Sequence, residues 1–237
     1  MLLEMNVLDK YIYKNIDGID YVEVTKEYRD YIEEKRYNHL LFKSDIPKEY
    51  YELDFNSYVG ERSLNSKNKC LRYSTLCKDD KFKNINLYLS GSYSTQKSTI
   101  ACSIGKQFII EGYKVKFVFA SELIDYLMKN QGFGYNEILQ EKIDNYMKCD
   151  LLIVDDFGKG TYWKNNPDLI IDAWDKFLRK IISENKRIVM TSNYTLEYIK
   201  EHYGESLYKL LHRKFEELTF YDSIHEVSRE KFDNLWE

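Results

Sequence analysis

The sequence predicts an α/β fold with a parallel sheet flanked by helices. Three observations predict it: short apolar strands alternate with helical stretches from residue 85 onward, one strand is wholly apolar, and polar turns follow the strands. Ile85, Leu87 and Leu89 alternate with polar or amphipathic partners and stop at Gly91, which reads as a strand. Ile100, Ile104 and Phe108 recur every four residues, a helix that Gly112 ends. Val115 to Ala120 is a second strand, and Leu123, Ile124, Leu127 and Met128 mark the helix after it. Leu151 to Val154 is apolar throughout and ends in Asp155-Asp156, so both of its faces are expected to be covered. Ile170, Trp174, Phe177, Leu178 and Ile181 form the next helix, and Ile188-Val189-Met190 the next strand. Leu207, Leu210, Leu211 and Phe215 are expected on one face of a final helical stretch.

The chain before this alternation reads differently. Residues 1–45 are charged and rich in tyrosine, and Val24, Tyr28, Tyr31, Ile32 and Leu40 make a rough helical stripe. We expect a small, mostly helical N-terminal extension over residues 1–45 and a main domain over 46–237, with Pro47 as punctuation and a helix around 65–80.

Composition narrows the function classes. Over 237 residues, 43% apolar and 31% charged content supports both a full core and a charged surface, and excludes disorder as the dominant state. A net charge of −4 argues against a protein whose main work is to coat nucleic acid with a basic face. It leaves room for a local basic stripe. Cysteines 70, 77, 102 and 149 form no C-x-x-C and read as free thiols rather than zinc ligands. The first ten residues lack the basic and apolar regions of a signal peptide, and the longest apolar runs are about four residues. A cytoplasmic chain with no membrane partner is expected.

The chemistry sits at strand ends. Gly91-Ser92-Tyr93-Ser94-Thr95-Gln96-Lys97-Ser98, with Thr99 behind it, joins the first strand to its helix. A phosphate loop needs such a strand-to-helix turn, with backbone N–H groups facing inward, a lysine for the outer phosphates and a hydroxyl for Mg²⁺. Gly91, Lys97 and Ser98 meet those needs, but Gln96 stands where the strict pattern has glycine. Its side chain must point away from the phosphates, and a left-handed backbone there costs about 1–2 kcal/mol. On this count a glycine at 96 is expected to raise affinity. Asp155 can hold Mg²⁺ opposite Ser98, Asp156 can orient or deprotonate a water, and Asn193 in Thr191-Ser192-Asn193 can position that water. All three lie at C-terminal strand ends, where open α/β sheets bind ligands. Taken singly, each motif is also compatible with an ordinary polar turn.

These residues resemble the AAA+ ATPases of the DnaC/DnaI helicase-loader group and the related IstB-type transposition ATPases. The resemblance spans about residues 45–229 and includes SDIPKEYYELDF at 44–55, NINLYLSGSYSTQKSTIACSIG at 84–105, GYKVKFVFASELIDYLM at 112–128, CDLLIVDDFGKG at 149–160 and RIVMTSNY at 187–194. An Asp-Asp pair combined with a Thr-Ser-Asn strand end is its specific part. The resemblance implies an AAA+ P-loop core that binds ATP and Mg²⁺. Lys97 and Ser98 become Walker A residues, Asp155 the metal carboxylate, Asp156 the catalytic carboxylate and Asn193 the sensor. Arg213 falls at the family's arginine finger and Arg229 near its second sensor. Ser94 and Gln96 replace two of the family's loop glycines, which weakens the expectation of hydrolysis more than that of binding. The divergence suits a phage or mobile-element member.

The implied function is loading or remodelling a replicative DNA helicase on single-stranded DNA, by a homo-oligomer. Two alternatives remain open: an IstB-type regulator of transposition, and a hydrolysis-deficient protein that inhibits a host helicase or loader. For the single strand, Lys114, Lys116 and Phe117 or the segment 130–148 are candidate contacts. The first 45 residues are expected to recognise the partner, with the Val24–Tyr28–Tyr31–Ile32 stripe as anchor.

Overall fold

The computed structural model of the chain describes residues 10–17, 19–132, 137–159 and 167–224. Strands β1 (Tyr11–Ile16) and β2 (Ile19–Val24) pair antiparallel, with Tyr11 opposite Val24 and Ile16 opposite Ile19. Their aromatic and β-branched residues flank the Asp17-Gly18 dipeptide, a strong hairpin signal, and Asp17 has a φ of +52°. The hairpin takes Val24 out of the helical stripe. The expected helix follows as α1 (Lys26–Lys43), its N-terminus capped by Thr25 Oγ1, which accepts from the Tyr28 N–H at 3.2 Å.

Helix α2 (Leu64–Thr75) leads into the main sheet. There follow β3 (Asn86–Gly91), α3 (Lys97–Ile110), β4 (Val115–Phe119), α4 (Ala120–Gly132), α5 (Glu137–Met147) and β5 (Leu151–Phe157). The chain continues through α6 (Pro167–Ser183), β6 (Arg187–Ser192), α7 (Leu196–Tyr203), α8 (Glu205–Lys214) and β7 (Phe215–Phe220). The five strands lie parallel in the order β4-β5-β6-β3-β7.

Alternation along the strands divides the core in two. Leu87, Leu89, Leu151, Ile153 and Val189 face the side covered by α3, α2 and the end of α1. Tyr88, Leu152, Val154, Ile188 and Met190 face the side covered by α4 to α8. The apolar run Leu151–Val154 is buried on both faces, as its composition requires. Leu41, near the end of α1, is itself part of the core, with Tyr37 and Leu40 packed on it. All four cysteines are buried and unbonded to one another.

A second expectation is corrected. Leu207, Leu210 and Leu211 do lie on α8, but Phe215 does not continue that helix. It opens β7, which runs along the free edge of β3 from Asn86↔Phe215 to Gly91↔Phe220. Ladder hydrogen bonds and the burial of Phe215, Leu218 and Phe220 override a local pattern that reads equally well as helix.

Candidate nucleotide site

The loop after β3 is shaped by three unusual backbone positions. Gly91 has a φ of +147°, and a Cβ there would stand 2.1 Å from the Phe220 carbonyl oxygen, so β7 can approach only a glycine. Ser94 and Gln96 both take left-handed conformations, at φ +60° and +63°. Thr95 Oγ1 donates to the Ser92 carbonyl at 2.9 Å and closes the turn. Helix α3 then starts at Lys97.

Lys97 curls back into this loop. Its Nζ donates to the carbonyls of Gly91 and Ser92 at 2.8 and 2.7 Å, with Thr95 Oγ1 at 3.0 Å and Asn193 Oδ1 at 3.2 Å also in reach. Burial lowers its pKa to about 8 against the pull of Asp156 and Asp155. Ser98, Asp155 and Asn193 stand around Lys97 at one corner of the sheet.

The paired aspartates occupy an irregularity in the sheet. β5 and β6 are in register up to Val154↔Met190 and shift before Phe157↔Ser192, so Asp155 and Asp156 form a bulge. Asp156 takes a φ of +60°, and its N–H donates to Thr191 Oγ1 at 3.0 Å. The same hydroxyl donates to Asp155 Oδ1 at 2.6 Å. The bulge sends the two carboxylates to different places. Asp155 is buried and accepts from Ser98 Oγ at 2.8 and 3.1 Å, whereas Asp156 reaches outward to Lys159 Nζ at 3.0 Å.

Burial raises the pKa of Asp155, helped by the charge of Asp156 and opposed by hydrogen bonds from Thr191 and Ser98 and by Lys97. A cation at this corner would offset the cost of a buried carboxylate. Ser98 Oγ and Asp155 offer oxygen donors only, the set that suits Mg²⁺ when water and phosphate oxygens complete its shell. The residues present fit that ion.

Other expected residues lie elsewhere. Ser92 and Tyr93 are exposed on the rim of the loop, and Thr99 is half-buried on the first turn of α3. Arg213 is exposed, two residues before the start of β7, at the opposite end of the sheet from the loop. There it lines a cavity of ≈ 550 Å³ with Lys69, Arg72 and His212. Phe117 is buried in the core and Lys116 pairs with Asp45 at 2.6 Å, so Phe117 offers no stacking surface for a single strand. Residues 133–136 and Arg229 lie outside the described residues. Thr191 carries no catalytic signal of its own, and its hydroxyl bonds both sides of the bulge. Asp222, which anchors residues 58–63 beside the loop, carried no local signal at all.

A parallel sheet in this strand order, with a phosphate loop after β3 and an aspartate pair and an asparagine on the strands beside it, defines a P-loop core of the AAA+ class, of the DnaC/IstB type. The sequence model of the IstB-like ATP binding proteins matches residues 22–213, and the chain belongs to that family. An ATP-binding protein of insertion sequence IS5376 from Geobacillus stearothermophilus is 31% identical over 122 residues, which cover 52% of this chain and 45% of that protein. The match thus spans about half the length of this curated relative. Among solved structures, DnaI superposes with a TM-score of 0.58 at 17% identity, over 74% of this chain and 95% of its own. The DnaC helicase loader superposes at 0.55 and 18% identity, over 73% and 99%. No described helix is long and apolar enough to cross a membrane.

Proposed function

We propose that the protein binds ATP with Mg²⁺, assembles as a homo-oligomer on single-stranded DNA, hydrolyses the nucleotide slowly, and in doing so delivers a replicative DNA helicase. The convergence of Lys97, Ser98, Asp155 and Asn193 on one corner carries the nucleotide half of this reading. Ser98 and Asp155 hold the metal, Asp156 acts on the attacking water, Asn193 positions it, and Arg213 serves a neighbouring subunit. The fold shared with the DnaC helicase loader supports the partner.

The N-terminal hairpin supports a docking role. Tyr13, Ile16, Ile19 and Val22 are all more than half exposed, and a two-stranded hairpin is barely stable alone. Cover from a partner protein resolves both facts.

A second reading rests on the insertion-sequence relative: a regulator of transposition that recruits a transposase to DNA. One experiment separates the two. The purified chain with ATP is mixed with its host's replicative helicase and, separately, with an insertion-sequence transposase. Helicase retention with DNA-stimulated ATP turnover supports the first reading. Transposase retention alone supports the second. Binding of the helicase with no turnover under any condition supports an inhibitor instead.

A further inference from the structure

The glutamine that replaces a loop glycine has a partner far away in the chain. Gln96 Nε2 donates to the Val59 carbonyl at 2.6 Å, and Gln96 Oε1 accepts from the Val59 N–H at 3.0 Å. One side-chain amide thus satisfies both polar groups of one peptide residue, as a neighbouring strand would. Val59 lies in residues 58–63, a strap that crosses beside the phosphate loop.

The strap is held at its other side by Asp222, just beyond β7. That carboxylate accepts from Tyr58 Oη at 3.0 Å, the Arg62 N–H at 3.2 Å, Arg62 Nε at 3.3 Å and the Ser63 N–H at 2.8 Å. Burial works against its charge, but hydrogen bonds from Ser63, Arg62 and Tyr58 prevail and lower its pKa to about 2. Gly60, at φ +135°, lets the strap pass, since a Cβ there would meet the Asp222 Cβ at 2.3 Å. The Ile224 N–H donates to the Ser94 carbonyl at 3.0 Å, tying the tail back to the loop. Strap, loop and tail are joined pairwise into one wall.

The sheet order says what this wall faces. Asp155 and Asn193 stand on β5 and just past β6, on one side of β3, while β7 and the wall stand on the other. A triphosphate whose outer end points at Asp155 and Asn193 runs its nucleoside toward β7 and the strap. We propose that Gln96 is a positioning residue for the nucleoside half of the ligand: it holds the strap against the loop so that base and ribose meet a preformed wall. The inference rests on the nucleotide-binding reading above. It explains why a strained left-handed glutamine is kept, since its two hydrogen bonds offset the backbone cost. It also reverses the expectation that glycine at 96 helps.

The test measures binding of ATP and of inorganic tripolyphosphate, both with Mg²⁺, to the full chain and to Gln96→Gly and Gln96→Met. Methionine keeps the length of the side chain and both donor and acceptor are lost. The expected result is that both variants bind ATP roughly tenfold more weakly and bind tripolyphosphate as the wild type does. Gln96→Gly binding ATP as tightly as wild type, or more tightly, overturns the proposal. Equal weakening of both ligands overturns it too, since the glutamine then shapes the phosphate cradle or merely the fold. Wild type binding neither ligand overturns the nucleotide reading itself, and this proposal with it.

Discussion

At the scale of single residues, the phosphate loop turns on a lysine that is buried before any phosphate reaches it. Lys97 Nζ is held by loop carbonyls and Asn193, and burial brings its pKa to about 8. A bound polyphosphate favours the charged form, so above pH 8 binding must take up a proton. Affinity is therefore full at pH 7 and falls by up to about tenfold per pH unit above 8. Calorimetry at pH 7 and 9 checks this, and an affinity that does not change between them removes Lys97 from the contact. Lys97→Ala is expected to weaken ATP binding by at least about tenfold, the loss of a charge-assisted bond to phosphate. Thr191→Val tests the bulge. It leaves the Asp156 N–H without its acceptor and Asp155 with Ser98 as its remaining hydroxyl donor, at a cost of about 1–3 kcal/mol in urea unfolding. A variant as stable as the wild type would mean that the bulge is held by its strands alone. Lys97, Ser98, Asp155 and Asn193 were legible in the sequence because each sits at a strand end or at the start of the helix that follows one, with a local spacing. Gln96's partner was not, because Val59 lies 37 residues away and is bonded through its backbone, which has no residue identity to read. Asp222 is 164 residues from Tyr58 and equally invisible.

At the scale of elements, the strands with a one-sided or wholly apolar pattern were legible and the ones defined by their neighbours were not. β5 announces itself by four apolar residues in a row, whereas β7 carries two glutamates and becomes a strand only because β3 has a free edge. The hairpin β1–β2 escaped a reading of residues 1–45 as mostly helical, although Asp17-Gly18 marked it. Its exposed apolar faces support the proposed partner recognition by residues 10–24, while the end of α1 has other work. Tyr37, Leu40 and Leu41 pack into the core, so a truncation through residue 40 removes core contacts as well as the docking surface. Truncation through residue 24 is therefore the cleaner cut. It is expected to leave ATP affinity within about twofold and thermal stability within about 0.5 kcal/mol, as changes outside the core do. Retention of the helicase on an affinity column should drop to background. Undiminished retention moves the contact to the ATPase core, and loss of stability makes the hairpin a structural element.

At the scale of the whole molecule, the nucleotide corner and Arg213 lie at opposite ends of the same parallel sheet. One subunit cannot bring them together by a side-chain movement, because β3 alone separates them by six residues of extended chain, about 20 Å. If Arg213 acts on a phosphate, it acts on a neighbour's. The contact then joins one patch to a different patch, a head-to-tail interface, which closes into a ring or winds into an open spiral rather than making a two-fold dimer. Two consequences are measurable. Specific ATPase activity rises with protein concentration until assembly is complete, and Arg213→Ala lowers turnover by up to roughly a thousandfold while ATP affinity holds. The stronger check mixes two inactive variants. Asp156→Asn keeps Arg213 but lacks the carboxylate proposed to act on water, and Arg213→Ala keeps that carboxylate but lacks the cation. In mixed assemblies an intact corner on one subunit faces an intact arginine on the next, so activity returns on mixing. A mixture no more active than its components excludes a role in trans and leaves Arg213 to the basic cavity it lines with Lys69, Arg72 and His212.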